Sequence, residues 1–228
     1  MTSFSDLKLA APLLRALADQ GYDTPTPIQA GSIPHLLEGR DLLGLAQTGT
    51  GKTASFALPI LEHLANSPRP VAPRQARVLV LAPTRELVAQ ISDSFKAYAK
   101  YMRFTQAVVF GGVGQGRQVE AMRRGVDVLV AAPGRLLDLI GQGHIDLSGL
   151  EILVLDEADR MLDMGFVRDI RRIMTFVPEK RQTLLFSATM PRSIEDLAAS
   201  LLNNPARVEV APPSSTVDRI QQAVMFVN

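Results

Sequence analysis

Apolar positions along the 228-residue chain fall into two alternating patterns. One is a set of short, nearly continuous apolar runs at 42–45, 77–82, 105–110, 127–132, 151–155, 182–186 and 207–210. Such runs suit strands buried on both faces. The other is apolar residues at three- and four-residue spacing, the stripe of an amphipathic helix. It runs through Leu9, Leu13, Leu14 and Leu17 in a helix expected over 5–20, which Gly21 ends. Pro27 is placed to open the next helix, which Gly39 stops. Helices follow over 54–65, behind a Thr84 cap with Leu87, Ile91, Phe95 and Tyr98 on one face, over 115–124, and from Pro133 to about Ile140. A further helix carries Phe166, Ile170, Ile173 and Val177 on one side and Arg168, Arg171 and Arg172 on the other. The last opens at Ser193 and Asp196 and turns Ile194, Leu197, Ala198 and Leu201 inward. Six or seven strands alternating with helices predict an α/β sandwich with a mainly parallel sheet. In such sheets ligands bind beyond the carboxyl ends of the strands.

Composition narrows the picture by exclusion. Hydrophobic residues make up 46%, ample for a core, and 24 basic against 23 acidic residues leave a net charge of +1. No global field draws in nucleic acid, so such binding needs a local cluster. Without cysteine there is neither a disulfide framework nor a thiolate metal site. His35, His63 and His144 lack ligand spacing and read as surface histidines. No basic-then-apolar leader precedes the fold and no run is long enough to span a membrane, so a cytoplasmic location is expected.

Chemistry enters where the runs end. After 42–45 comes Ala46-Gln47-Thr48-Gly49-Thr50-Gly51-Lys52-Thr53, then a helical pattern. Strand, glycine loop, Lys-Thr and helix in that order specify a phosphate loop, although the general motif begins with Gly where Ala46 stands. Gly49 and Gly51 allow positive φ, and the loop N–H groups with the helix start form an anion cradle. Lys52 would reach the β- and γ-phosphates and Thr53 would hold Mg²⁺. After 151–155 stands Asp156-Glu157-Ala158-Asp159. Asp156 would hold Mg²⁺ and Glu157 would take a proton from the attacking water. An acidic helix start would look the same, and the Lys52-Thr53 pair upstream decides between them.

Other strand ends carry further candidates. Ser187 and Thr189 place small hydroxyls where they could bond Asp159 or Asp156 and report the nucleotide state. Pro83, Thr84, Arg85, Gly112, Gly134 and Arg135 follow other strands. Glycine lets a phosphodiester approach and arginine with helix starts neutralises it, which fits backbone recognition. Gly112-x-Gly114 is not a dinucleotide fingerprint, since the third glycine falls one place early at Gly116. Ahead of the phosphate loop, a two-proline turn presents Tyr22, a flat ring, and Gln29, an amide that donates and accepts.

Taken together, GYDTPTPIQ (21–29), AQTGTGKT (46–53), PTREL (83–87), Gly111-Gly112, APGR (132–135), DEAD (156–159) and SAT (187–189) resemble the motif set of the DEAD-box RNA helicases. Their wording is most similar to the bacterial RhlE-type members. The resemblance implies a RecA-like three-layer sandwich, with 1–30 as the Q-motif region, 31–210 as the first helicase lobe and 211–228 as a linker and the start of a second lobe. It implies an RNA-dependent ATPase and helicase using ATP and Mg²⁺, nearly inactive as this lobe alone. It makes Tyr22 and Gln29 adenine contacts, with Phe4 as the isolated upstream aromatic. Gln47 to Thr53 hold phosphate, Glu157 is the hydrolytic base, and Asp159, Ser187 and Thr189 couple the sites. Arg85, Gly112 and Arg135 go to the RNA backbone. Partners would be RNA, ATP/ADP, a second lobe in cis, and the ribosome or RNA-degradation machinery, with no membrane. Val88 replaces the family's usual Ala, a packing change. Ala132 replaces its usual Thr and removes one expected phosphate contact.

Two other classes compete. A GTPase should show an Asn-Lys-x-Asp base reader and a transporter ATPase its signature loop; neither occurs. A clamp that binds RNA without hydrolysis would have lost its chemistry, yet Lys52, Asp156 and Glu157 are all present.

Overall fold

The computed structural model describes residues 3–210. The linker and the apolar run expected at 220–227 lie outside the described residues. Seven parallel strands form the sheet: β1 Leu42–Leu45, β2 Ala76–Leu81, β3 Gln106–Val109, β4 Val126–Ala131, β5 Ile152–Leu155, β6 Gln182–Ser187 and β7 Ala206–Glu209, in the spatial order β3-β4-β2-β5-β6-β1-β7.

Alternate strand residues point to opposite faces and build two cores. Leu42, Val78, Val80, Val154, Leu184 and Phe186 face one side. There they meet α1 (Ala11–Asp19), α2 (Pro27–Leu37), α3 (Lys52–Asn66) and α4 (Arg85–Tyr98). Leu43, Leu45, Leu79, Leu81, Leu153 and Leu155 face the other side. They meet α5 (Gly116–Met122), α6 (Pro133–Gly141), α7 (Ala158–Asp163), α8 (Val167–Met174) and α9 (Arg192–Leu201). The expected sandwich is therefore what forms.

Some element ends differ from expectation. The helix expected over 5–20 splits into a 3-10 turn at Phe4–Leu7 and α1, because Lys8 closes the turn with φ 56° and Pro12 lies in the first turn of α1. The helix expected through Val177 ends at Met174, and Gly165 at φ 84° separates it from α7. On α4 the core position belongs to Val88, fully buried with Ile91 and Phe95, whereas Leu87 is half-buried. Ser193 does not cap α9; Pro191 holds the cap position without a side-chain hydrogen bond. Thr84 does cap α4, its hydroxyl accepting from the Leu87 N–H at 3.2 Å.

Candidate functional site

All the motifs gather at the carboxyl edge of the sheet, and the strand order divides them. The phosphate loop, the paired carboxylates and the Ser-Ala-Thr segment follow β1, β5 and β6, one half of the sheet. Thr84, Gly112 and Gly134 follow β2, β3 and β4, the other half.

In the first half, the loop from β1 turns into α3 through Gly49 at φ 85° and Gly51 at φ 93°. The Thr50 hydroxyl closes it on the Gln47 carbonyl at 2.7 Å. Lys52, first residue of α3, is 6% exposed, and its Nζ is buried without a hydrogen-bond partner among the described residues. An ammonium buried alone costs several kcal/mol. An anion in the loop would remove that cost, and the free N–H groups at the start of α3 favour the same charge. The loop therefore fits a polyphosphate.

Asp156, at the end of β5, is 2% exposed. Burial pushes its pKa up to about 6; Lys52 pulls it down and Glu157 adds to the rise. The next residue, Glu157, has φ 52° and ψ 52°. A left-handed backbone at a residue with a side chain costs about 1–3 kcal/mol and is retained where the surroundings impose it. Here the Glu157 carboxylate accepts from the Thr48 hydroxyl at 3.1 Å and from Arg160 Nη1 at 3.2 Å. Among the described residues no three His, Cys, Asp or Glu side chains converge into a metal cage. A divalent ion on Asp156 and Thr53 would keep its other sites for water and phosphate, the habit of Mg²⁺.

A cleft of about 350 Å³ joins these groups, lined by Tyr22, Gln29, Thr48, Gly49, Gly51, Lys52, Thr53, Ala54, Asp156, Glu157 and one stripe of α4, namely Leu87, Gln90, Ser94 and Tyr98. Tyr22 is 41% exposed and leans on the Tyr98 ring at 6.2 Å between centroids. Burial first, and then Tyr22, hold the Tyr98 phenol protonated far above its ordinary range. Gln29 is 3% exposed. Its Oε1 accepts from the Thr26 N–H at 2.9 Å and its Nε2 donates to the Gly51 carbonyl at 3.1 Å. A Cβ on Gly51 would sit 2.4 Å from Nε2, so Gln29 and Gly51 fix each other. One Nε2 proton and one Oε1 lone pair remain for a ligand. Phe4 is not at this cleft: it is 3% exposed in the core under α2. The α4 stripe is not among the candidates the sequence offers, where Leu87 and Tyr98 share one face with Ile91 and Phe95. Its signal was two polar residues, Gln90 and Ser94, at helical spacing between them.

The Asp159 carboxylate accepts from the Ala188 N–H, the Thr189 N–H and the Thr189 hydroxyl at 3.2, 3.0 and 2.9 Å. Ser187 is fully buried and donates to the Thr189 carbonyl at 2.7 Å. The end of β5 and the end of β6 are thus tied through Asp159 rather than Asp156.

In the second half, Gly112 has φ 80° and nothing within 4 Å of the place a Cβ would take, an open, glycine-only turn. Arg85 is exposed, its guanidinium 5.2 Å from the centre of the Phe110 ring. Arg135 donates to the Val113 carbonyl at 3.1 Å and faces Asp138 at 3.6 Å, so it braces the glycine loop. Pro83 is buried and shapes the turn without presenting itself. Ala132 occupies the cap position of α6 with no side-chain bond. Gly134 is exposed, and the Asp169 carboxylate lies 3.9 Å from where its Cβ would be.

Comparison with known proteins identifies the family. A family model described as DEAD/DEAH box helicase matches residues 26–197. The chain is 48% identical over 227 residues to the ATP-dependent RNA helicase DeaD of Escherichia coli K12, covering 99% of this chain and 35% of that protein. It is 42% identical over 226 residues to DeaD of Mycobacterium tuberculosis H37Rv, covering 99% and 39%. It thus spans between a third and two fifths of these relatives. A solved DEAD box protein from the hyperthermophile Methanococcus jannaschii superposes with a TM-score of 0.84 at 34% identity, over 92% of this chain and 56% of that one. With 172 consecutive residues matched by one model, on a sheet that superposes on a solved member, the chain belongs to the DEAD/DEAH box helicase family.

Proposed function

We propose that the chain is the ATP-binding first lobe of an ATP-dependent RNA helicase. In the whole protein, ATP hydrolysis would be coupled to local RNA duplex unwinding or RNP remodelling. The observation that carries this reading is the division of the carboxyl edge: phosphate-type groups over β5-β6-β1 and backbone-type groups over β2-β4-β3, on adjoining halves of one sheet.

Lys52 meets the β- and γ-phosphates, and the Gln47–Thr53 loop wraps them with N–H groups. Held by Thr53 and Asp156, Mg²⁺ would neutralise charge on those phosphates. Glu157 takes the proton of the attacking water once Thr48 and Arg160 yield their bonds to it. The Asp159–Thr189 tie links the nucleotide half to β6. Gln29 reads the base: its spare proton and lone pair match the N7 acceptor and N6 donor of adenine, an arrangement guanine does not offer. Gln29→Ala is expected to lose ATP-over-GTP selectivity by ~1–3 kcal/mol in a competition assay, and an unchanged preference would place base selection elsewhere.

On the RNA half, Arg85 and the open turn at Gly112 meet phosphates, and Arg135 holds that turn. Asp169 opposes them, its carboxylate lying beside the amino end of α6. Asp169→Asn is therefore expected to tighten RNA binding severalfold at low salt, with the gain shrinking as salt rises. Zero-length crosslinking of RNA to the chain tests the interface itself. Crosslinks in peptides 83–87, 110–114 and 132–135 support it, and crosslinks confined to other strand ends contradict it.

The RhlE-type subtype rests on motif wording, whereas the relatives compared above are named DeaD. Ribosome or RNA-degradation partners rest on the resemblance, and a cytoplasmic location on the lack of an apolar run long enough to span a membrane. Among the described residues no helix is long and apolar enough to cross a membrane.

A further inference from the structure

We propose that the outer face of α8 is a second RNA-backbone track, which takes the strand leaving the β2-β4-β3 rim and leads it along the side of the lobe. The inference rests on the RNA reading above and adds a surface to it. Ile170 and Ile173 bury one side of α8, which leaves Arg168, Arg171 and Arg172 exposed on the other. None of the three has an ion-pair partner among the described residues, while nine other lysine or arginine ion pairs form. The acid of the same helix, Asp169, is half-buried and turned toward Gly134. Just past the helix, Phe176 is 43% exposed, a ring available for stacking.

Position supports the same occupant. The first turn of α8 abuts the amino end of α6: the Phe166 ring lies 4.0 Å from where a Gly134 Cβ would be. The track therefore starts at the proposed RNA rim. Because β5 and β6 are parallel, α8 runs back toward the opposite edge of the sheet. There Lys180 and Arg181 share a cleft of about 440 Å³ with Arg40, and Arg181 Nε is buried without a partner. Two acids also line that cleft, Glu179 and Asp41, but both Asp41 oxygens are taken by the Thr183 and Asn203 N–H groups. Unpaired arginines with one exposed ring fit phosphates and a stacked base.

The test is fluorescence anisotropy of the 228-residue chain with a hexauridylate and with an octadecauridylate across a salt series. Wild type is expected to bind the long RNA about tenfold tighter than the short one beyond the gain that the larger number of binding registers gives by itself. Arg171→Gln/Arg172→Gln should erase most of that difference and lower the salt slope for the long RNA by about 1.4, at roughly 0.7 per phosphate on a single strand. It should leave hexauridylate affinity and melting temperature unchanged. Arg171→Lys/Arg172→Lys should restore the slope. A variant that keeps the full length dependence would overturn the track while leaving the rim intact. Binding of labelled polyglutamate that Arg171→Gln/Arg172→Gln abolishes, with long-RNA affinity unchanged in that variant, would assign α8 to an acidic protein instead. Failure of both RNAs to bind would overturn the rim reading and the track together.

Discussion

Lys52→Ala is expected to lower ATP affinity by about two orders of magnitude, roughly 3 kcal/mol, while leaving the melting temperature of the nucleotide-free chain unchanged or raised. The two halves of this expectation come from one observation. Lys52 Nζ is buried without a hydrogen-bond partner among the described residues. In the free chain it is a buried charge that attracts the Asp156 carboxylate. Removing it relieves a cost as well as that attraction. With nucleotide bound, the same ammonium would meet phosphate oxygens in a water-poor site, where charge-assisted hydrogen bonds are strongest. A residue kept for packing would behave in the opposite way: stability would fall and affinity would hold. Nucleotide titration with a fluorescent ATP analogue, beside a thermal melt, separates the two.

Glu157→Gln is expected to keep nucleotide binding and to cut hydrolysis by about 10²–10⁴ in the whole protein that carries this lobe, the range for loss of a general base. The amide keeps the size of the side chain and can still accept from Thr48, so the loop bond at 3.1 Å survives. What is lost is the ability to take a proton. The bond from Arg160 would weaken as well, which should tighten rather than loosen the hold on polyphosphate, because a negative charge leaves the cleft. Phosphate release measured at saturating ATP and RNA checks the rate. Normal turnover would remove Glu157 from the role of base.

Most of the architecture is legible in the sequence, for a definite reason. The inner strands β1, β2, β4, β5 and β6 are buried on both faces almost throughout, so they write largely apolar runs, while the edge strands β3 and β7 alternate buried and more exposed positions. The loops at the carboxyl ends carry the chemistry. The motifs after β1, β5 and β6 thus read as candidates for polyphosphate, and those after β2, β3 and β4 as candidates for a nucleic-acid backbone, from the sequence alone. That the two sets occupy separate halves of the sheet is not legible, because strand order depends on pairings between distant segments. Nor does the apolar pattern say what a buried side chain touches. Phe4 reads as an aromatic available to a base, yet its ring completes the core beneath α2. Leu87 and Val88 are adjacent and both apolar, and only the rotation of α4 decides that Val88 enters the core while Leu87 lines the cleft. The bonds of Gln29 to Thr26 and Gly51 show a role that spacing could not, since they hold the phosphate loop as well as facing the cleft.

The most direct test of the central claim is a structure of the chain with Mg²⁺ and a non-hydrolysable ATP analogue. The terminal phosphates are expected inside the 47–53 loop, with Lys52 Nζ within hydrogen-bond distance of a β- or γ-phosphate oxygen, the metal on the Thr53 hydroxyl, and the base against Tyr22 and Gln29. A nucleotide seated outside this cleft, with Lys52 Nζ still without a partner, would contradict it.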